Sequence, residues 1–159
     1  MSIEAPPTPH SWTIDRGLET GPLPVTAYTS KEYYEREIDR IWNRTWILIG
    51  KTHQIPRAGD YFVKALPWAK TAVMVVRGKD GRVRAFHNIC SHRCNRLLWD
   101  DCGSSQLFRC TYHGWVYGLD GTLLKVTDEP NFFGLDKAEH GLTAVNVDTW
   151  KGLIFVNLA

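Results

Sequence analysis

The chain has 159 residues, 43% of them hydrophobic and 12% aromatic, which is enough apolar surface for one core but little for a second full domain. Its 19 basic and 17 acidic residues give a net charge of +2 with no long run of either sign, so neither nucleic acid nor an anionic membrane is expected as a partner. No segment resembles a membrane-spanning helix or a signal peptide. We expect a cytoplasmic protein whose four cysteines are metal ligands or bystanders rather than disulfide partners.

The N-terminal part of the chain is predicted to be an arm followed by one helix. Residues 1–28 carry proline and glycine turn signals, and we expect an arm that lies on another surface. Thr29 has the features of an N-cap, with Glu32 three residues later as in a capping box. Apolar residues then recur at helical spacing as far as Trp42, which predicts a helix over residues 29–45 with a buried apolar stripe.

From residue 46 onward, short β-branched and aromatic runs alternate with turn residues, which is typical of antiparallel strands. Strands are predicted at 46–50, 60–66, 71–77, 83–88, 106–110, 114–118, 122–126, 142–147 and 152–157. Asp120-Gly121 is predicted as a type I′ turn, and Asp148-Thr149 as the turn of the last hairpin. No internal repeat or low-complexity tract is present, so residues 46–159 are predicted to form one mainly β domain.

Two short motifs carry the chemical information. Residues 90–92 read Cys-Ser-His, and after seventeen further residues 110–113 read Cys-Thr-Tyr-His. A 2Fe-2S cluster with two thiolates on one iron and two neutral imidazoles on the other requires this set of ligands. Each motif follows a predicted strand, so two hairpin tips can hold a cluster, and Gly114 permits a tight turn beside the last ligand. The predicted ligands are Cys90, His92, Cys110 and His113.

Three rival assignments use some of the same residues. A single cysteine or histidine on a strand is most often a packed core residue, although four at these spacings rarely arise by chance. Two cysteines and two histidines are also a common structural zinc set, but such sites usually place cysteine beside cysteine and histidine beside histidine. An all-thiolate cluster has intervals of three, seven and seven residues here, which do not match the plant-type spacing. It would use Cys90, Cys94, Cys102 and Cys110.

Longer segments extend the pattern beyond the ligand motifs. They are 44–50, 59–62, 86–97, 108–118 and 150–158. Together they resemble the Rieske domain of the α subunit of aromatic-ring-hydroxylating oxygenases. The resemblance implies an antiparallel β-sandwich with two cluster-binding hairpin loops, preceded by one N-terminal helix. It also implies that a ferredoxin or reductase supplies single electrons to the cluster, which passes them to a mononuclear Fe(II) that activates dioxygen to hydroxylate an aromatic substrate.

The mononuclear iron is not expected within this sequence. The remaining histidines are isolated, and no pair has the spacing of a site with two histidines and a carboxylate. They are His10, His53, His87 and His140. We therefore assign no catalytic residue and expect an N-terminal piece of a longer protein, or a split subunit, because the resemblance places a catalytic domain after residue 159. The resemblance also implies a homotrimer.

A free-standing Rieske ferredoxin, which would carry electrons without a catalytic partner in its own chain, is the alternative function. Such ferredoxins consist of little more than the β domain. Here the first ligand comes only at Cys90, after an arm and a helix, and this favours the oxygenase.

Three positions depart from related Rieske sequences. The oxygenases usually have glycine where this chain has Cys94, so a cysteine is strained there if the position requires a positive φ. Respiratory-chain Rieske proteins have a disulfide cysteine in the region of Tyr112, and a serine that bonds a cluster sulfur at the position of Trp115. Fewer donors to sulfur predict a reduction potential toward the lower end of the Rieske range of about −150 to +300 mV.

The neighbours of the motifs are assigned structural roles. The aromatic side chains near the motifs are expected to pack and shield the cluster rather than relay electrons. They are Trp99, Tyr112, Trp115 and Tyr117. Arg93 and Arg96 either bond backbone carbonyls of the cluster loops or mark a docking surface for an electron donor, and we favour the structural role.

Overall fold

A computed structural model describes residues 21–159, so the predictions for residues 1–20 of the arm, and His10, lie outside it. The chain divides into two compact units, one ending at Tyr34 and the other comprising Glu35–Ala159. In the first unit a short helix, α1 (Thr26–Thr29), immediately precedes Ser30. No helix among the described residues is both long and apolar enough to cross a membrane.

The second helix, α2 (Lys31–Glu37), is capped by Ser30 rather than by the predicted Thr29. The Ser30 Oγ accepts the Tyr33 N–H at 3.1 Å and donates to the Glu32 carboxylate at 2.8 Å. Thr29 is the last residue of α1, and its hydroxyl donates to the Val25 carbonyl at 3.2 Å. The predicted cap was therefore wrong by one residue, because a helical turn that the sequence did not indicate already occupies Thr29.

The helical chain continues through a π-helical turn, Ile38–Trp42, in which the Asn43 N–H donates to the Ile38 carbonyl at 2.9 Å. The prediction that the apolar stripe is buried was wrong. Ile41 and Trp42 are 52% and 44% exposed, although the Trp42 ring lies 6.0 Å from the ring of Trp68. Helical periodicity identified an apolar face, but it does not say whether that face is covered.

Within the described residues the β domain has ten strands. They are β1 (Ile47–Lys51), β2 (Asp60–Leu66), β3 (Thr71–Arg77), β4 (Val83–His87), β5 (Cys102–Ser104), β6 (Phe108–Arg109), β7 (Val116–Tyr117), β8 (Leu123–Lys125), β9 (Ala144–Trp150) and β10 (Leu153–Asn157). Seven form one sheet in the order β1-β10-β9-β4-β3-β2-β5, and β6-β7-β8 form a second. The strands pair in antiparallel fashion, which confirms the predicted mainly β fold. The sequence did not predict β5, a short exposed strand that pairs with β2.

The core has two parts, which lie on opposite faces of β3. Alternate residues of a strand point to opposite faces, so Val73 and Val75 contribute to one part and Met74 and Val76 to the other. All four side chains are fully buried, as expected for a strand in the middle of a sheet. The part that contains Met74 and Val76 also contains the two predicted cysteine ligands and the buried residues of the small sheet.

The last hairpin turns later than predicted. β9 pairs with β10 as far as Trp150 opposite Leu153, so Asp148 and Thr149 lie within a strand. The turn is Lys151-Gly152, with φ values of 47° and 81°. A positive φ at both central positions defines the type I′ turn, which matches the twist of the two strands.

The turn predicted at Asp120-Gly121 is centred one residue earlier, on Leu119-Asp120, and is not type I′. Gly121 has a φ of 86°, whereas Asp120 is not among the described residues with a positive φ. The Gly121 N–H donates to the Gly118 carbonyl at 3.1 Å, and the Gly118 N–H donates to the Thr122 carbonyl at 2.9 Å. This is a type I turn followed by a glycine bulge.

The β9–β10 turn provides a test of this backbone assignment. A Cβ at Gly152 would meet only Thr52 Oγ1, at 3.7 Å, so the cost of a side chain there is conformational rather than steric. Gly152→Ala is expected to lower the free energy of unfolding by about 1–2 kcal/mol in a denaturant titration. Gly152→Asn should recover most of the loss, because asparagine adopts the left-handed conformation more readily. Equal losses for the two variants would contradict the assignment.

Candidate metal centre

The two predicted motifs lie on two loops of matching backbone geometry, residues 90–95 and 110–115. In each loop the N–H of the cysteine donates to the carbonyl five residues later at 2.8 Å. The carbonyl of each cysteine accepts the N–H four residues later at 3.0 Å. Antiparallel pairing closes both loops: Ile89 forms an isolated β-bridge with Arg96, and Arg109 pairs with Val116. The predicted pair of hairpin tips is therefore present, and the two tips have the same hydrogen bonds.

The matching geometry explains a position at which this chain departs from its relatives. The fourth residue after the cysteine has a left-handed backbone in both loops, with a φ of 54° at Cys94 and 73° at Gly114. The condition under which a cysteine is strained at this position, a positive φ, is therefore met. Cys94 is exposed and is not part of the core.

The loops bring the two predicted cysteine ligands together. Cys90 and Cys110 are 1% and 2% exposed and pack in the same part of the core, and each thiol shifts the pKa of the other. The Asn95 amide also donates to Cys110 Sγ, at 3.7 Å. Two sulfurs side by side at the top of a core can bind one metal ion from the same side.

The two predicted histidine ligands form a second pair. The ring centroids of His92 and His113 are 4.6 Å apart. His92 is stacked on Trp115, with centroids 4.7 Å apart and planes 5° apart, and the Phe132 ring meets its edge at 5.8 Å. The Nδ1 atom of His92 is buried and has no hydrogen-bond partner in the described structure. A buried imidazole nitrogen without a partner is suited to bind a metal.

The positions of the cysteines and histidines can be compared with the two rival sites, a zinc tetrahedron and an all-thiolate cluster. Among residues 21–159 no group of three or more His, Cys, Asp or Glu side chains is arranged to hold a single metal ion, as a zinc tetrahedron requires. Cys102 lies opposite Phe62 in the β2–β5 pair, and Phe62 packs in the part of the core away from Cys90 and Cys110. Directly opposed residues share a face, so Cys102 is directed away from the thiol pair. This orientation of Cys102 disfavours the all-thiolate cluster.

The electrostatics of the pairs suit metal ligands. Burial raises the pKa of the Cys90 thiol. Burial acts in the same direction on Cys110, but N–H groups of His113 and Tyr112 donate toward its sulfur and bring its pKa below the ordinary value. Burial, with a smaller contribution from His113, lowers the pKa of His92, so its imidazole is neutral at pH 7. Backbone amides that favour a thiolate, beside a neutral imidazole, provide the ligand forms that iron requires.

Sequence reasoning missed one contact of the cysteine pair. Tyr117 was expected only to pack, but its hydroxyl lies 3.1 Å from Cys90 Sγ. Its pKa is raised, mainly by burial and also by Cys90, so the hydroxyl keeps its proton and can donate to the sulfur. The two residues are 27 positions apart, and only the folded hairpins bring them together. A donor to sulfur therefore exists despite the tryptophan at 115.

The other neighbours are partly as predicted. Trp115 is buried and covers His92, whereas Trp99 and Tyr112 are 62% and 59% exposed and do not enclose the site. Tyr112 does lie against the His113 ring, with centroids 3.7 Å apart. The Arg96 Nε donates to the Leu98 carbonyl at 2.8 Å, a bond to the backbone that lies outside residues 90–95 and 110–115.

The remaining described histidines belong to neither pair, although the His140 ring lies 6.2 Å from that of Trp115. The Nδ1 of His87 is 3.0 Å from the Thr71 hydroxyl, and burial lowers its pKa. His140 Nδ1 lies 2.8 Å from the Asp136 carbonyl. His53 belongs to a short helical turn after β1.

The strained position provides a test of the loop geometry. Relief of a left-handed cysteine is worth about 1–2 kcal/mol, and the added freedom of glycine in the unfolded chain removes about 0.4–1 kcal/mol of that gain. Cys94→Gly is therefore expected to raise the free energy of unfolding by up to about 1.6 kcal/mol. Cys94→Ala, the control, removes the thiol but keeps the strain and should leave stability unchanged.

The reverse substitution in the matching loop should be more damaging. A Cβ at Gly114 would lie 2.7 Å from Thr127 Oγ1, so Gly114→Cys adds a steric clash to the backbone strain. Denaturant titrations of the three variants and the parent chain measure these differences. A loss of stability in Cys94→Gly would contradict the proposed equivalence of the two loops.

Comparison with known proteins agrees with this geometry. Residues 45–147 match the model of the Rieske [2Fe-2S] domain. The chain is 43% identical over 139 residues to the biphenyl 2,3-dioxygenase subunit alpha of Rhodococcus jostii RHA1, an alignment that covers 87% of this chain and 30% of that protein. The chain thus spans less than a third of the length of this relative.

Solved structures give the same result. The fold matches a quaternary ammonium Rieske monooxygenase with a TM-score of 0.81 at 28% identity, over 87% of this chain and 38% of the other. It matches naphthalene 1,2-dioxygenase from Rhodococcus sp. with a TM-score of 0.80 at 31% identity, over 86% of this chain and 31% of the other. With two paired sets of cysteine and histidine on matching loops, and a family match over most of its length, this chain belongs to the Rieske [2Fe-2S] domain family.

Proposed function

We propose that this chain transfers single electrons as the input domain of an oxygenase α subunit. The observation that supports this most strongly is the division of four side chains into a thiol pair and an imidazole pair on two matching loops. That division suits a cluster in which one iron has two thiolates and the other two imidazoles. The residues proposed to bind it are Cys90, His92, Cys110 and His113. When bound, the cluster supplies one-electron storage.

The side chains around the proposed cluster site have two different roles. The sulfur pair is buried, and Trp115 and Phe132 cover His92, so these residues exclude water and hold the ligands in place. The imidazoles of His92 and His113 both line an open groove, beside the exposed Tyr112. We infer that electrons leave or enter on this open side, where another protein surface can approach.

The partners follow from the same proposal. A ferredoxin or reductase supplies the electron, and a catalytic domain or subunit with a mononuclear Fe(II) receives it. The whole enzyme is an oxygenase that hydroxylates an aromatic compound, in a homotrimer located in the cytoplasm. This chain is 43% identical to a dioxygenase subunit alpha, and that subunit continues well beyond the region that this chain matches. The match supports the oxygenase over a free-standing Rieske ferredoxin. We assign the groups that select the aromatic substrate to the catalytic domain or subunit, not to this chain.

Analysis of the purified chain tests the cofactor. After expression with iron and sulfide available, we expect about two irons and two acid-labile sulfides per chain. We also expect a visible spectrum that bleaches on reduction and an EPR signal in the reduced form alone. One zinc per chain without labile sulfide would contradict the proposal.

A ligand substitution tests the imidazole pair. His92→Cys replaces a neutral ligand by a thiolate, which adds negative charge beside the iron and disfavours the reduced state. The reduction potential of the cluster is therefore expected to fall. His53→Cys, outside the pairs, is the control and should leave the potential unchanged. An unchanged potential in His92→Cys would remove His92 from the proposed ligand set.

A further inference from the structure

We propose that Ser91 sets the reduction potential of the cluster by competing with the Cys90 sulfur for the hydroxyl proton of Tyr117. The inference rests on the proposed cluster and goes beyond it, because Ser91 is not a ligand. Its position between the two ligands of the first loop gives it access to both Tyr117 and the segment that ends at His140.

The Tyr117 hydroxyl lies within hydrogen-bonding distance of three groups. Its oxygen is 3.1 Å from Cys90 Sγ, 2.9 Å from Ser91 Oγ and 3.2 Å from the Ser91 backbone nitrogen. The Tyr117 side chain is fully buried, so bulk water does not compete for the hydroxyl. The hydrogen bonds of this oxygen are therefore shared among protein groups.

Counting protons determines the direction of each bond. The Ser91 hydroxyl has one proton, and it donates to the His140 carbonyl at 2.7 Å. Toward Tyr117 the Ser91 Oγ can then only accept. The backbone N–H of Ser91 donates to the Tyr117 oxygen. The single proton of Tyr117 thus has two acceptors, Ser91 Oγ and Cys90 Sγ.

The competition has a predictable electronic effect. A hydrogen bond to a cysteine sulfur stabilises the reduced cluster, which carries one more negative charge, and so raises its reduction potential. Each share of the Tyr117 proton held by Ser91 is lost to Cys90. Removing the Ser91 hydroxyl should therefore direct the proton to the sulfur and raise the potential. Removing the Tyr117 hydroxyl should lower it.

The opposite shifts in reduction potential expected for loss of the Ser91 and Tyr117 hydroxyls distinguish competition for the proton from a purely structural role of Ser91. If Ser91 only held Tyr117 in place, loss of its hydroxyl would weaken the bond to sulfur and lower the potential, as in Tyr117→Phe. The backbone N–H of Ser91 survives any side-chain change at that position and still fixes the Tyr117 oxygen. The Ser91 residue is exposed, so solvent can satisfy the His140 carbonyl after substitution.

A matched pair of variants provides the test. Ser91→Thr keeps the hydroxyl, and Ser91→Val has nearly the same shape without it. EPR-monitored redox titration of the cluster-loaded chain should give an unchanged potential for Ser91→Thr and a higher one for Ser91→Val. In a Tyr117→Phe background, which alone should show a lower potential, Ser91→Val should have no further effect, because there is no proton to redirect.

The outcomes are separable. A parent chain without a 2Fe-2S signal overturns the proposed function, and with it this inference. A cluster-loaded Ser91→Val chain whose potential is unchanged or lower overturns the inference alone, as does an equal rise in the Tyr117→Phe background. If Ser91→Val does not retain the cluster, Ser91→Gly removes the hydroxyl without added bulk and is judged by the same criteria.

Discussion

The meeting of two loop tips over one part of a β core is the constraint on which the rest of this structure depends. Each tip is held by the same two backbone hydrogen bonds around its cysteine, so both cysteine side chains have a fixed direction. The hairpins below the tips are packed into one core cluster, in which the two cysteines take part. Sulfur meets sulfur and imidazole meets imidazole as a consequence of this arrangement.

Fixed loops also divide the centre into a closed side and an open side. The sulfurs are buried, where backbone and side-chain donors reach them and water does not. The imidazoles of His92 and His113 line a groove, next to an exposed tyrosine. An electron-transfer centre needs both conditions, since shielding tunes the potential and exposure on one side permits approach of a partner.

The features that were predictable from the sequence are those that local patterns encode. Strands β2 and β3 were predicted at their observed bounds because alternating β-branched residues between turn signals are a short-range pattern. The four proposed ligands lie at the two loop tips where the motif spacing placed them. The strained position of Cys94 followed from comparison with a usual glycine.

The features that were missed depend on long-range contacts or on competition between similar signals. The hydrogen bond from Tyr117 to Cys90 joins two hairpins, and a tyrosine two residues after a buried tryptophan carries no local sign of it. Asp148-Thr149 is an acceptable turn by composition, but Lys151-Gly152 supplies the left-handed backbone that the type I′ turn requires. Ser30 and Thr29 are both good N-caps, and α1 decides between them.

Mössbauer spectroscopy of the iron-loaded chain tests most directly whether the loops present sulfur and nitrogen ligands to different irons. We expect two doublets of equal area in the oxidised protein, one from an iron with sulfur ligands only and one from an iron with two imidazoles. On one-electron reduction only the imidazole-bound iron should become ferrous, because its protein ligands are neutral. Two irons with the same parameters in the oxidised state would contradict the division into a thiol pair and an imidazole pair.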